Sequence, residues 1–276
     1  MSRATVAPES TNRHDWQSSA RAFGARWLPA LAIVAGIIVL WEGYVRLFDI
    51  EKWLLPAPSA VVATIGDSAG LLARHSWVTL EEIAIGFGLA LAAGVALAST
   101  IGLSRTVERA LYPFVIASQT IPIIVIAPML LIWVGYGLAP KVIVVALISF
   151  FPIAVNMADG LKSADADTIS LMRTLGANRW QIFAKIQAPT SLPYLFSGMR
   201  VAIAVSVIGA VIGEWVGSSE GLGYLMIRSK PLFLTERVFA AITILSAMGV
   251  GLFTLVGIVE RVALPWQHSS SDQHGI

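Results

Sequence analysis

The chain has 276 residues, of which 56% are hydrophobic and 13% charged, with a formal net charge of +2 and no cysteine. A soluble domain carries about 25% charged residues, so this composition cannot cover a water-soluble globule, and it fits neither a coiled coil nor a disordered chain. The small net charge leaves no nucleic-acid footprint, and without thiols there is no disulfide framework, thiolate metal site or Cys nucleophile. What remains is an integral membrane protein. Its long apolar windows are helical, because barrel strands alternate in short segments and this chain does not.

A spanning helix needs about 20 mostly apolar residues. Residues 1–27 are polar and form a tail ahead of the first span, 28–48. Glu42 and Arg46 lie four apart near the outer end of that span, where an i,i+4 pair can satisfy itself. The loop Leu54-Leu55-Pro56-Ala57-Pro58-Ser59 follows. Its two prolines impose an extended stretch, and Ser59 is expected to cap a helix over 60–72 lying along the membrane surface. The second span, 79–102, carries Gly86, Ala90, Gly94, Ala98 and Gly102 at every fourth position. Such a stripe lets helices approach closely, within one subunit rather than between two.

The third span, 110–134, contains Pro122 and Pro128, both expected to kink it. Gln119 beside this break and Asn156 in the fourth span, 139–158, are polar at membrane depth and so are candidate residues of a solute pathway. The fifth span, 190–216, holds Arg200 and Glu214, about 21 Å apart by helix rise and therefore unable to pair with each other. Both are further pathway candidates. Gly209, Gly213 and Gly217 repeat the small-residue spacing here, and 238–260 is the sixth span. With both termini inside, inner segments hold eleven Lys and Arg and outer segments seven, which favours cytoplasmic termini. The polar, Ser-rich C-terminal tail, 265–276, carries His268 and His274 without further ligands and reads as a frayed end.

Between the fourth and fifth spans, residues 159–189 form a patterned polar segment. Asp165 and Asp167 suit a helix N-terminus and Arg173 its C-terminus. Gly176 stops that helix, and Asn178 with Gln181 makes a capping box opening another. Pro189 and Pro193 should end or kink this second helix as the chain re-enters the membrane. Met172, Leu175, Trp180, Phe183 and Ile186 are apolar in a segment outside the bilayer. Either the elbow lies on lipid as an interfacial hairpin or it docks on a soluble partner.

The stretch Ser170-Leu171-Met172-Arg173-Thr174-Leu175-Gly176, then nine residues, then Ile186-Gln187-Ala188-Pro189, resembles the cytoplasmic signature of bacterial ABC-importer permeases. The Gly, Ile and Pro fall at the family's spacing; Ser170-Leu171-Met172 replaces its Glu-Ala-Ala, and Ala188 its Leu. The Leu55-Pro56-Ala57-Pro58-Ser59 loop, Trp133-Val134-Gly135-Tyr136-Gly137, Phe150-Phe151-Pro152 and Gly221-Leu222-Gly223 are similar to the nitrate/sulfonate/taurine branch. The run Gly213-Glu214-Trp215-Val216-Gly217 through Met226 most resembles permeases for pyrimidine precursors of thiamine.

The resemblance implies an all-α, polytopic type I permease: a transmembrane domain over 28–264 with six transmembrane helices and a cytoplasmic coupling helix. Arg173, Thr174, Leu175, Gly176, Ala177, Asn178 and Arg179 would dock on an ABC ATPase subunit dimer. An external (periplasmic) substrate-binding protein, a second copy of the permease and the lipid of a bacterial inner membrane complete the partners. The solute would be a small polar organic molecule such as a hydroxymethylpyrimidine-type thiamine precursor, with sulfonate, taurine or nitrate as the alternative. The chain's own residues fit a transport subunit that hydrolyses no ATP, since it has no Gly-x-x-x-x-Gly-Lys-Ser/Thr phosphate loop and no cofactor or metal motif. A stand-alone secondary transporter fits less well, because no paired repeats with intramembrane coupling residues are found.

Overall fold

The computed structural model describes residues 14–268. The helices are α1 (His14–Leu47), α2 (Pro58–Asp67), α3 (Ala69–Leu103), α4 (Arg105–Ser118), α5 (Ile123–Val134), α6 (Leu138–Lys162), α7 (Ala166–Thr174), α8 (Arg179–Ile182), α9 (Ala188–Gly217), α10 (Leu222–Ser229), α11 (Thr235–Ala263) and α12 (Pro265–His268). No strand occurs among the described residues. Five segments are long and apolar enough to cross a bilayer: Leu28–Leu47, Ala69–Leu103, Leu138–Lys162, Arg179–Gly217 and Thr235–Ala263. The pair α4 and α5 makes a sixth if taken as one span, bent by 97° at the break.

α6 forms the centre, held between α3 and α9. Along α3 the small residues stand where α6 comes closest. A Cβ on Gly86 would lie 2.6 Å from Val145 Cβ, one on Gly94 2.8 Å from Ile153 Cγ2, and one on Gly102 2.9 Å from Leu161 Cδ1. The α9 stripe meets the same helix from the other side, where a Cβ on Gly209 would lie 3.2 Å from Val145 Cα and one on Gly213 3.1 Å from Lys141 Cα. Both stripes therefore serve packing within the chain. Replacing Gly86 by Val would force α3 and α6 apart. Overpacking of this kind costs about 1–3 kcal/mol, so the detergent-solubilised protein should melt several degrees lower, while Ala at exposed Gly88, where nothing lies within 4 Å, should leave the melting temperature unchanged.

Several local expectations are corrected. Ser59 does not cap the helix after the Pro-Ala-Pro turn: α2 starts at Pro58 with Ala57 as its unbonded cap, and the Ser59 hydroxyl and N–H instead donate to Glu42, at 2.8 and 3.0 Å. Arg46 Nε donates to the same carboxylate at 2.6 Å, so this loop fastens α1 to α2. The expected surface helix over 60–72 is also shorter, because the bend at Ser68 passes its hydrogen bonding straight into α3 through Ser68 N–H to Thr64 O and Leu72 N–H to Ser68 O. Finally, Pro189 and Pro193 do not end the helix that α8 begins. A π-helical turn, Phe183–Gln187, widens the backbone ring and hands over to α9 through the Ala188 N–H to Phe183 O bond. Pro189 follows directly on that wider turn, and the helix runs on through it from Arg179 to Gly217. Of the two prolines expected to kink the third span, Pro122 stands at the break and Pro128 lies inside α5 without interrupting it.

Candidate functional site

One end of the molecule is the elbow between α7 and α8. Asp165 caps α7 by accepting from the Thr168 N–H and hydroxyl at 2.9 and 2.5 Å, and these bonds hold its carboxyl below the usual carboxylate range. At the other end of α7, Ala177 N–H donates to Met172 O (2.9 Å) and Gly176 N–H to Arg173 O (3.0 Å), a Schellman closure. It requires a left-handed residue, and Gly176 supplies φ +81°. Asn178 and Gln181 then exchange backbone-to-side-chain bonds at 2.8 Å each, completing the capping box. The elbow is thus locked by local hydrogen bonds at every corner.

Its apolar residues divide. Ile182 and Phe183 are buried, and Trp180 stacks on Phe183 with ring centroids 5.5 Å apart. Leu171, Leu175 (73% exposed) and Trp180 (63% exposed) face outward together with Arg173 and Arg179. A locked turn presenting three large apolar side chains beside two cations is built to be covered. Arg173, Thr174, Leu175, Gly176, Ala177, Asn178 and Arg179 all fall within this one turn. The Thr174 hydroxyl is spent on Ser170 O at 3.1 Å.

The four intramembrane candidates do not come together. Arg200 pairs with Glu260 of α11 at 2.5 Å, its guanidinium 5.7 Å from the Phe253 ring. Asn156 turns its Nδ2 back to Pro152 O at 2.7 Å and lies against α9 at Gly198. Gln119 is exposed in the α4–α5 break and lines an open groove of about 530 Å³ with Ile123, Phe151, Pro152, Val205 and Ile212. Glu214 is 1% exposed, at the far end of the molecule from the elbow.

Around Glu214 stands a polar network that sequence reasoning missed. Its carboxylate accepts from the Thr79 hydroxyl (2.6 Å), the Gly223 N–H (2.5 Å) and the Tyr224 N–H (3.3 Å). Thr79 Oγ1 accepts in turn from the Leu222 N–H at 2.9 Å, and His75 Nδ1 from the Gly221 N–H at 2.9 Å. The unpaired N–H groups at the start of α10 are thereby received by side chains of α3 and α9, with Glu214 as the anion that a helix N-terminus favours. This accounts for Gly221-Leu222-Gly223. A Cβ on Gly221 would collide with the Glu214 carboxylate, and one on Gly223 would lie 2.9 Å from its Oε2.

Beside it, buried Lys141 of α6 pairs with fully buried Glu82 of α3 and donates to Ser218 Oγ at 3.1 Å. The missed residues are Glu82, followed by uncharged sequence up to Ser104, and Lys141, followed by uncharged sequence up to Ala158. Both lie in the first turn of an expected span, 79–102 and 139–158, where a charge reads as the end of a span and not as half of a pair between two helices.

The family described as the inner membrane component of binding-protein-dependent transport systems matches residues 86–263. The chain is 41% identical to the formylaminopyrimidine transport permease protein of Halalkalibacterium halodurans over 84% of this chain and 92% of that one. It is 36% identical to the riboflavin transport system permease protein of Chloroflexus aurantiacus over 98% of each chain. A putative aliphatic sulfonates transport permease of Bacillus subtilis is 29% identical over 88% of this chain and 89% of that one. Among solved structures, an inward-facing form of the MetNI methionine ABC transporter superposes with a TM-score of 0.63 at 19% identity, covering 71% of this chain and 97% of that one, a likeness of fold.

Proposed function

The chain belongs to the family of inner-membrane components of binding-protein-dependent transport systems, and from that premise we propose that it carries a pyrimidine-type thiamine precursor through the inner membrane. It is the permease subunit of an ABC importer with the type I permease fold, a transport component rather than an enzyme. Its partners as an importer are an ATPase and a substrate-binding protein. The observation that carries the choice of solute is the 41% identity to a formylaminopyrimidine permease across 84% of this chain and 92% of that one. The groove beside Gln119 supports it. Its lining offers an amide, an aromatic ring and aliphatic surface but no Lys or Arg, whereas a sulfonate would call for a cation.

In this reading the elbow end is cytoplasmic and inserts into the ATPase, both termini are cytoplasmic, and the Glu214 end faces the external binding protein. The groove, walled by the α4–α5 break, α5, α6 and α9, is open on its remaining side, so a second copy of the chain closes it about a two-fold axis within the lipid bilayer. Gln119 is the candidate solute contact; Asn156, Arg200 and Glu214 hold the frame around it.

The test is ATPase stimulation in liposomes containing the permease, its ATPase and its binding protein. Formylaminopyrimidine or hydroxymethylpyrimidine should stimulate hydrolysis and accumulate inside, and taurine and alkyl sulfonates should do neither. Stimulation by the sulfonates alone would transfer the assignment to them.

A further inference from the structure

The Glu214 network sits outside the groove and outside the elbow, yet it concentrates more buried polar groups than any other described part of the chain. Two carboxylates, an ammonium, a hydroxyl and an imidazole are all 7% exposed or less. Such groups are costly to bury and contribute stability poorly compared with well-packed apolar residues, and fixing one geometry is their best-attested use. What they fix here is α10. Its start is bonded to α3 through His75 and Thr79 and to α9 through Glu214, while Lys141 ties α6 to the entry of the same loop at Ser218. Outside this buried set, Arg74 of α3 pairs with Glu220 of the loop. The three helices that receive these bonds are those welded by the glycine stripes. At their other end two of these helices run into the elbow, α6 one short turn before α7, and α9 as the continuation of α8.

We infer that Glu214 is a positioning residue that makes α10 part of the α3–α6–α9 body, so that a push on α10 from outside reaches the elbow with no hinge between. α10 offers Ile227 and Arg228 on its exposed side. With the functional assignment above as premise, the external binding protein supplies the push. The loop over 218–224 is therefore a rigid strut and not a gate. A gate would have to break the capping bonds of α10 in each cycle, stripping Glu214 of its two backbone donors and Lys141 of Ser218 while both stay buried.

The experiment uses the complete transporter. The permease has no cysteine, so Ala73→Cys on α3 and Ile227→Cys on α10, both exposed, can be spin-labelled selectively against a cysteine-free ATPase. The distance between the labels should be narrow and the same in nucleotide-free and vanadate-trapped complexes. A shift between those two states would overturn the strut. Thr79→Val removes the donor to Glu214 and the acceptor for Leu222, and Gly223→Ala pushes on the carboxylate. In each the label distribution should broaden. Binding-protein stimulation of hydrolysis should fall by at least about fivefold, the lower range of inter-site coupling, with basal hydrolysis kept. Thr79→Ser, which retains the hydroxyl, should behave as wild type. Thr79→Val and Gly223→Ala complexes with wild-type stimulation and wild-type distances would sink the proposal. The distance measurement needs no solute, so an error in the choice of pyrimidine would leave this result standing.

Discussion

Gly176→Val should abolish transport while leaving the permease inserted in the membrane at its normal level. A Cβ at this position would meet nothing within 4 Å, so the loss comes from the backbone. At φ +81° a β-branched residue is strained by about 1–3 kcal/mol. That strain is relieved by opening the Schellman closure, which frees the Met172 and Arg173 carbonyls. The exposed face between Arg173 and Arg179 then loses its shape, and the ATPase should no longer co-purify. Gly176→Asn is the informative control, because Asn tolerates the left-handed region several-fold better than other side chains. It should retain most of the complex yield. Equal loss in Asn and Val would point to a contact at the glycine surface. Normal yield in Val would remove the elbow from the ATPase interface and favour its lying on lipid.

The elbow was legible in the sequence because its signals are local: Asp165, Gly176, and Asn178 with Gln181 each act over three or four residues, and each is found doing so. The glycine stripes were legible as well, since a spacing of four puts residues on one helix face whatever the partner. What escaped is everything decided between distant segments. Ser59 had a local role open to it, but it lies inside the first turn of a helix that starts at Pro58, and Glu42, seventeen residues back, accepts from its N–H and hydroxyl. Glu214 was visible as a charge at membrane depth. Its placement depended on Thr79, 135 residues away, and on two glycines whose small size has meaning only beside its carboxylate. The continuation through Pro189 escaped for another reason: a π-helical turn has no sequence signature as plain as the proline that follows it.

Lys141→Met should be the most destabilising single substitution in the membrane core. The ammonium is buried, pairs with Glu82 and reaches Ser218, and its removal leaves Glu82, already with one oxygen unpartnered, as an uncompensated carboxylate with no access to water. Breaking a buried pair by deleting one partner costs about 3–5 kcal/mol. A large fall in the yield of folded protein and in its melting temperature is expected. The cause is charge rather than volume, and that separates this prediction from an ordinary packing defect. Met keeps the unbranched stem of Lys, so the space against Gly213 stays filled. Adding Glu82→Gln to Lys141→Met removes the stranded charge while leaving Glu214 with the three donors it already has. The double variant should therefore recover much of the lost melting temperature, although each substitution alone lowers it. A double variant no more stable than Lys141→Met would show that the loss does not come from a stranded charge on Glu82.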